Sequence, residues 1–169
     1  FQAYCMGDTT AYWSITRTTD FAATAPTALK VTMDIWYNNG SSGSSPGVQF
    51  AIGDGFTDGL KSTSAQNSSV VHSGFGIYAN STAKLTQYNS TTAIYNTGIT
   101  QSTWLSVTWI INNTGSSLTY DNPTGSGTTT LDDDKFDVWL KTQAGAASTY
   151  TKVVSAQSAT TPAKDGYSH

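Results

Sequence analysis

The 169-residue chain reads as all-β, an antiparallel sandwich or barrel, and three observations carry that expectation. Apolar and polar residues alternate with a period of two along most of the chain, the mark of strands with one buried and one solvated face. Clusters of Gly, Asn, Asp, Pro and Ser punctuate these segments at short intervals. Helix-forming material is scarce: there is no Glu, whereas 21 Ser and 29 Thr make hydroxyl residues the commonest chemistry in the chain. No stretch of ten residues carries a helical period, and no internal repeat is present.

Taken in order, residues 29–37 (LKVTMDIWY) set Leu29, Val31, Met33, Ile35 and Tyr37 on one face. Lys30, Thr32, Asp34 and Trp36 fall on the other. Residues 104–111 (WLSVTWII) direct Leu105, Val107, Trp109 and Ile111 to the core and Trp104, Ser106 and Thr108 outward. Residues 136–141 (FDVWLK) do the same with Phe136, Val138 and Leu140 inside and Asp137, Trp139 and Lys141 outside. Shorter strands are expected at 12–19, 48–52, 70–71, 75–79, 85–88, 92–95, 117–121, 128–131 and 150–154, about eleven in all. Turn chemistry fills 38–47, 53–59, 112–115 and 121–127, where residues that tolerate positive φ collect. Polar tracts at 62–69 and 142–149 read as loops within one domain spanning 1–169, because apolar strands resume after each. Residues 1–11 and 155–169 read as peripheral, or as leading to strands outside this sequence.

Charge excludes some functions. A net charge of −3 with a single arginine, Arg17, beside seven Lys offers no basic surface to neutralise phosphates, so no nucleic-acid partner is expected. Apolar runs of only a few residues predict no membrane insertion. The chain opens at Phe1 without a leader, which reads as a mature or incomplete product. Five Asn-x-Ser/Thr sequons, at Asn39, Asn67, Asn80, Asn89 and Asn112, join the low charge and the hydroxyl-rich composition in pointing to an extracellular or cell-surface location. Cys5 is the only cysteine, so no disulfide can close within the chain. It reads as a small buried hydrophobe, or as a link to another chain or to a segment beyond this sequence.

The segments LKVTMDIWYNNG (29–40), FAIGDG (50–55), SGFGIY (73–78), LTQYN (85–89), TWLSVTWIINNT (103–114) and DDDKFDVWLK (132–141) come in an order that resembles the concanavalin A-like lectin and glucanase jelly roll, in its laminin G-like and exoprotein forms. The resemblance covers about residues 10–154 and implies a jelly-roll sandwich of a secreted protein. Such jelly rolls pair their first and last strands, and no closing strand is evident after Val154. The open sheet edge that this leaves is a template for addition of a neighbour's strand.

Candidate chemistry follows from the same residues. Glycan hydrolases of this fold use paired Glu, which this chain lacks entirely. Asp54 and Asp58, flanking a Gly-rich turn, are the nearest substitute, and Asp in such turns also bonds its own backbone. His72 is the only internal histidine on which a Ser-His-Asp arrangement could centre, and it reads equally as a strand-end residue. One Arg cannot supply the clamps of a polysaccharide lyase. Asp132, Asp133 and Asp134, with Asp137 close by, are the densest charge and could hold Ca²⁺, as could Asp54 with Asp58 at lower ligand count. The same run also reads as a solvated acidic turn. Trp36, Trp104 and Trp139 lie at or beside polar positions and could stack sugars while Asp34 and nearby Asn and Thr bond the sugar hydroxyls. Each indole could instead pack beneath a loop.

These readings predict a secreted, non-catalytic sandwich for adhesion, glycan recognition or extracellular structure. Its expected partners are glycans or neighbouring copies of itself. The alternatives are a self-assembling filament or surface-layer subunit, and a glycan-degrading enzyme.

Overall fold

The computed structural model describes residues 27–37, 46–54, 68–78, 83–99, 103–142 and 149–161. These form ten strands and one short 3-10 turn at Ser68–Val70. The strands are β1 (Ala28–Tyr37), β2 (Pro46–Gly53), β3 (Val71–Tyr78), β4 (Ala83–Gln87), β5 (Ala93–Ile99), β6 (Thr103–Asn112), β7 (Leu118–Asp121), β8 (Thr128–Leu131), β9 (Lys135–Thr142) and β10 (Thr151–Ser158). All pairings are antiparallel. Sheet A has the order β1-β6-β9-β10, sheet B has the order β2-β3-β4-β5, and β7 with β8 forms a separate two-stranded ribbon.

The two four-stranded sheets share one hydrophobic core. Leu105, Val107, Trp109 and Ile111 from β6 and Phe136, Val138 and Leu140 from β9 supply one side; Ile52, Phe75, Ile77 and Leu85 supply the other. An aromatic run crosses between the sheets. Phe50 lies 5.1 Å from Phe75, Phe75 meets Trp109 edge-on at 5.1 Å, and Trp109 meets Phe136 edge-on at 6.0 Å. Such contacts add roughly 0.5–1.5 kcal/mol each beyond area burial. The core-facing residues of the alternation, Leu29 to Ile35, Leu105 to Ile111 and Phe136 to Leu140, therefore line this core.

Two strand expectations change. The two short strands expected at 70–71 and 75–79 are one strand over their described part, β3 (Val71–Tyr78), with Val70 ending the 3-10 turn before it; Gly74 and Gly76 look like a break in sequence. Both glycines are required by close approach: a Cβ at Gly74 would lie 2.7 Å from the Tyr88 ring, and one at Gly76 would lie 2.8 Å from both Gln49 and Thr86. The second change concerns the tail. Residues 155–158 are not peripheral but complete β10 against β9, across a bulge where Ala156 takes φ 50°. Beyond the strand, the amides of Thr160 and Thr161 donate to the His72 carbonyl at 2.6 and 3.3 Å, and Thr161 Oγ1 donates to the Ser68 carbonyl at 2.6 Å. Backbone bonding holds this polar segment, so its lack of apolar residues was a poor guide. Cys5, the expected strand at 12–19 and residues 1–11 lie outside the described residues.

The ribbon β7–β8 leaves β6 at Asn112 and rejoins sheet A at β9. The Asn112 side chain fixes the departure: its Oδ1 accepts from Thr114 N (3.1 Å) and Thr114 Oγ1 (2.8 Å), and its Nδ2 donates to the carbonyls of Ser116 (2.7 Å) and Leu131 (3.0 Å). An Asn can bond its own backbone locally in this way, which is why it starts turns. Gly115, Gly125 and Gly127 take positive φ within the ribbon's turns, as left-handed turn positions demand.

Candidate functional site

The outer face of sheet A, opposite the core, splits into a bare half and a covered half. At the bare end, register places Trp36 of β1 directly across from Trp104 of β6. The indoles meet at 5.7 Å between centroids with planes inclined by 60°. They are the exposed large hydrophobics of the described residues, at 49% and 43%. Two register positions inward, on the same face, Asp34 faces Ser106, and the Ser106 hydroxyl donates to Asp34 Oδ1 at 2.7 Å. Ser106 also stands opposite Lys141 of β9, whose ammonium lies 5.9 Å from the centroid of the Tyr150 ring. Two aromatic planes therefore stand beside a carboxylate, a hydroxyl and a cation. Aromatic faces accept the C–H surface of a sugar, and such polar neighbours fix hydroxyl groups.

The covered half corrects the expectation for Trp139 and Asp137. Both lie on the outer side of β9 as the alternation predicts, but the ribbon seals them from solvent: Trp139 is 6% exposed and Asp137 1%. Trp139 Nε1 donates to the Tyr120 hydroxyl at 3.0 Å, and that hydroxyl donates to Asp137 Oδ2 at 2.5 Å. Lys152 pairs with Asp137 Oδ2 at 3.1 Å and sits 5.2 Å from the centroid of the Trp139 ring, while Ala156 N donates to Asp137 Oδ1 at 2.6 Å. Trp139 is thus unavailable for sugar stacking. Burial, reinforced by the Asp137 carboxylate that takes its proton as a hydrogen bond, pushes the Tyr120 phenol well above the ordinary tyrosine range. Thr108, expected outside, is buried under the same cover.

The acidic run does not converge. Asp132 Oδ1 accepts from the Ser117 hydroxyl (3.1 Å), Asp133 Oδ1 accepts from Gly115 N (2.9 Å), and Asp134 Oδ1 pairs with His72 Nε2 (3.3 Å). Asp134 takes φ 55°, which turns its side chain away from its neighbours' direction. Among the described residues, no group of three or more His, Cys or Asp side chains gathers as a metal would need. Asp54 is exposed at the end of β2, where its amide donates to the Val70 carbonyl at 3.0 Å. Asp58 lies outside the described residues.

His72 does join a serine and an aspartate. Its Nδ1 lies 2.7 Å from Ser73 Oγ, and its Nε2 faces Asp134. Ser73 and His72 are fully buried, so the hydroxyl has no open approach for a substrate carbonyl; geometry for attack requires one. The cluster ties β3 to the turn before β9 and to the segment after β10.

Of the sequons, Asn89 is exposed in the turn between β4 and β5, at φ 50°, with Thr91 exposed beside it. Asn112 is fully buried with its amide engaged as above. Asn39, Asn67 and Asn80 lie outside the described residues.

Ser106, Lys141, Tyr120 and Lys152 escaped sequence reading. Each becomes a partner only through cross-strand register or the placement of the ribbon, and neither leaves a local signal. Protein-family models, curated proteins and solved structures yield no match to this chain, so its functional reading rests on its own geometry.

Proposed function

We propose that the chain is a non-catalytic carbohydrate-binding module of jelly-roll sandwich type, working outside the cell in adhesion or glycan recognition. The observation that carries this reading is the exposed Trp36–Trp104 pair next to the Asp34–Ser106 hydrogen bond. An exposed aromatic pair costs solvation unless something covers it, and sugars cover indoles without requiring a fully apolar surface. The absence of Glu supports a binding role over glycoside cleavage, and the hydroxyl-rich composition with its sequons supports the extracellular setting.

Titration with soluble and insoluble polysaccharides, read by tryptophan fluorescence and by pull-down, tests the reading. Quenching that disappears in Trp36→Ala/Trp104→Ala supports it. A glycan array without a hit overturns it. If the same double variant instead dissolves a self-associated species in sedimentation velocity, the pair serves contact between copies and the glycan reading is replaced.

A further inference from the structure

The tryptophan pair lies at one end of a longer feature. On β1, Lys30, Thr32, Asp34 and Trp36 are all exposed on the outer face, while Leu29, Val31, Met33 and Ile35 turn toward the core. Six residue steps along the strand separate Trp36 from Lys30, about 20 Å at roughly 3.3 Å per step. At the Lys30 end, an open cleft of about 310 Å³ is lined by Leu29 and Lys30 of β1, Ile110 of β6, and Leu118, Tyr120 and Asp121 of β7. That volume is at the lower end of the roughly 300–1,000 Å³ of small-molecule sites. Among the described residues, neither Lys30 nor Asp121 makes an ion pair, although both line this cleft.

Resting on the carbohydrate-binding reading, we infer that the outer face of β1 is a track for one linear, neutral oligosaccharide, running from the Trp36–Trp104 pair to the Lys30/Asp121 cleft. Three features select this occupant. The track is too long for a single sugar or a disaccharide, so one chain must span several units to reach both ends. Its charges alternate in sign, Lys30 against Asp34 and Asp121, which gives no uniform field to favour a polyanion. The indole planes are inclined at 60° and cannot both lie flat on one ring, so they present separate stacking planes at the chain's entry. The cleft beside β7 then closes the far end, where an ammonium and a carboxylate can bond hydroxyls.

Calorimetric titration with cello-, xylo-, manno- and malto-oligosaccharides of increasing length, from disaccharide to hexasaccharide, tests the track. In at least one series affinity rises with length by about tenfold or more before levelling, the equivalent of one or two net hydrogen bonds. Lys30→Ala/Asp121→Asn removes most of that gain, reducing hexasaccharide affinity more than disaccharide affinity. Trp36→Ala/Trp104→Ala weakens every length. If the disaccharide binds as tightly as the hexasaccharide, or if Lys30→Ala/Asp121→Asn weakens all lengths equally, the track is wrong while the binding reading stands. If no series binds at any length and polysaccharides leave the fluorescence unchanged, both fall together.

Discussion

Trp36 and Trp139 occupy like positions of the same alternation on the same face of one sheet, yet one is half exposed and the other is buried. Asp34 and Asp137 repeat the contrast: Asp34 is exposed, and Asp137 is sealed beneath Tyr120 and Lys152. The difference is the ribbon β7–β8, which folds back over β6 and β9 and stops short of the Trp36–Trp104 end. Alternation decides the side of a sheet on which a residue lies; only the path of a neighbouring segment decides whether that side meets water. A tryptophan and an aspartate thus become part of an internal network in one half and a contact surface in the other.

The sharpest way to break this contrast is to remove the buried carboxylate. Asp137→Ala leaves Lys152 and the Ala156 amide without their partner and is expected to cost about 3–5 kcal/mol, read from urea unfolding. A loss below about 1 kcal/mol would mean that the ribbon does not depend on this network. Next in size is Tyr120→Phe, which removes one donor to Asp137 and one acceptor from Trp139, at about 1–3 kcal/mol. The raised Tyr120 phenol adds a pH signature. Its proton is held more tightly in the fold than in the unfolded chain, so this stabilisation is complete below pH ~10 and is lost as pH rises above it. The urea midpoint of the wild type should therefore fall more steeply in alkali than that of Tyr120→Phe.

The bare half should behave oppositely. Trp36→Ala or Trp104→Ala removes one edge-on contact and is expected to change stability by only about 0.5–1.5 kcal/mol, while abolishing polysaccharide quenching. A large loss of stability would show that the pair is packing rather than surface. The sequons sharpen the same distinction: expressed through a eukaryotic secretory pathway, the chain should carry glycan on Asn89 and none on Asn112, as peptide mass mapping after glycosidase treatment would show. Smallest of all is the response to calcium. Asp132, Asp133 and Asp134 each serve a separate partner at the root of the ribbon, so adding Ca²⁺ or chelator should leave Tm unchanged. A clear rise in Tm with Ca²⁺ would place a site there.

Much of sheet A was legible in the sequence because Leu29 to Tyr37, Leu105 to Ile111 and Phe136 to Leu140 alternate without interruption. Sheet B was harder to read. Gly74 and Gly76 remove the side chains that would mark β3 as one strand, since the Tyr88 ring and the Gln49 and Thr86 side chains need that space. The end of β10 was missed because Ser155 to Ser158 hold their place through backbone bonds and a bulge, which apolar patterning does not record. Of the candidate site, Trp36, Trp104 and Asp34 could be named from alternation alone. Their meeting with Ser106 required the β1–β6 register, and the loss of Trp139 to the interior required the ribbon. Both are long-range facts that no local spacing encodes.

The strand order of sheet A also sets a timetable. In sheet B every strand pairs with its neighbour in sequence, whereas in sheet A Tyr37 must find Thr103 before β1 has its partner. Pairings between distant segments form slowly because a long loop must close first. Trp36 and Trp104 become neighbours only when that closure is complete. Their coupled indole signal in near-ultraviolet circular dichroism should therefore report the closure of the β1–β6 pairing during refolding.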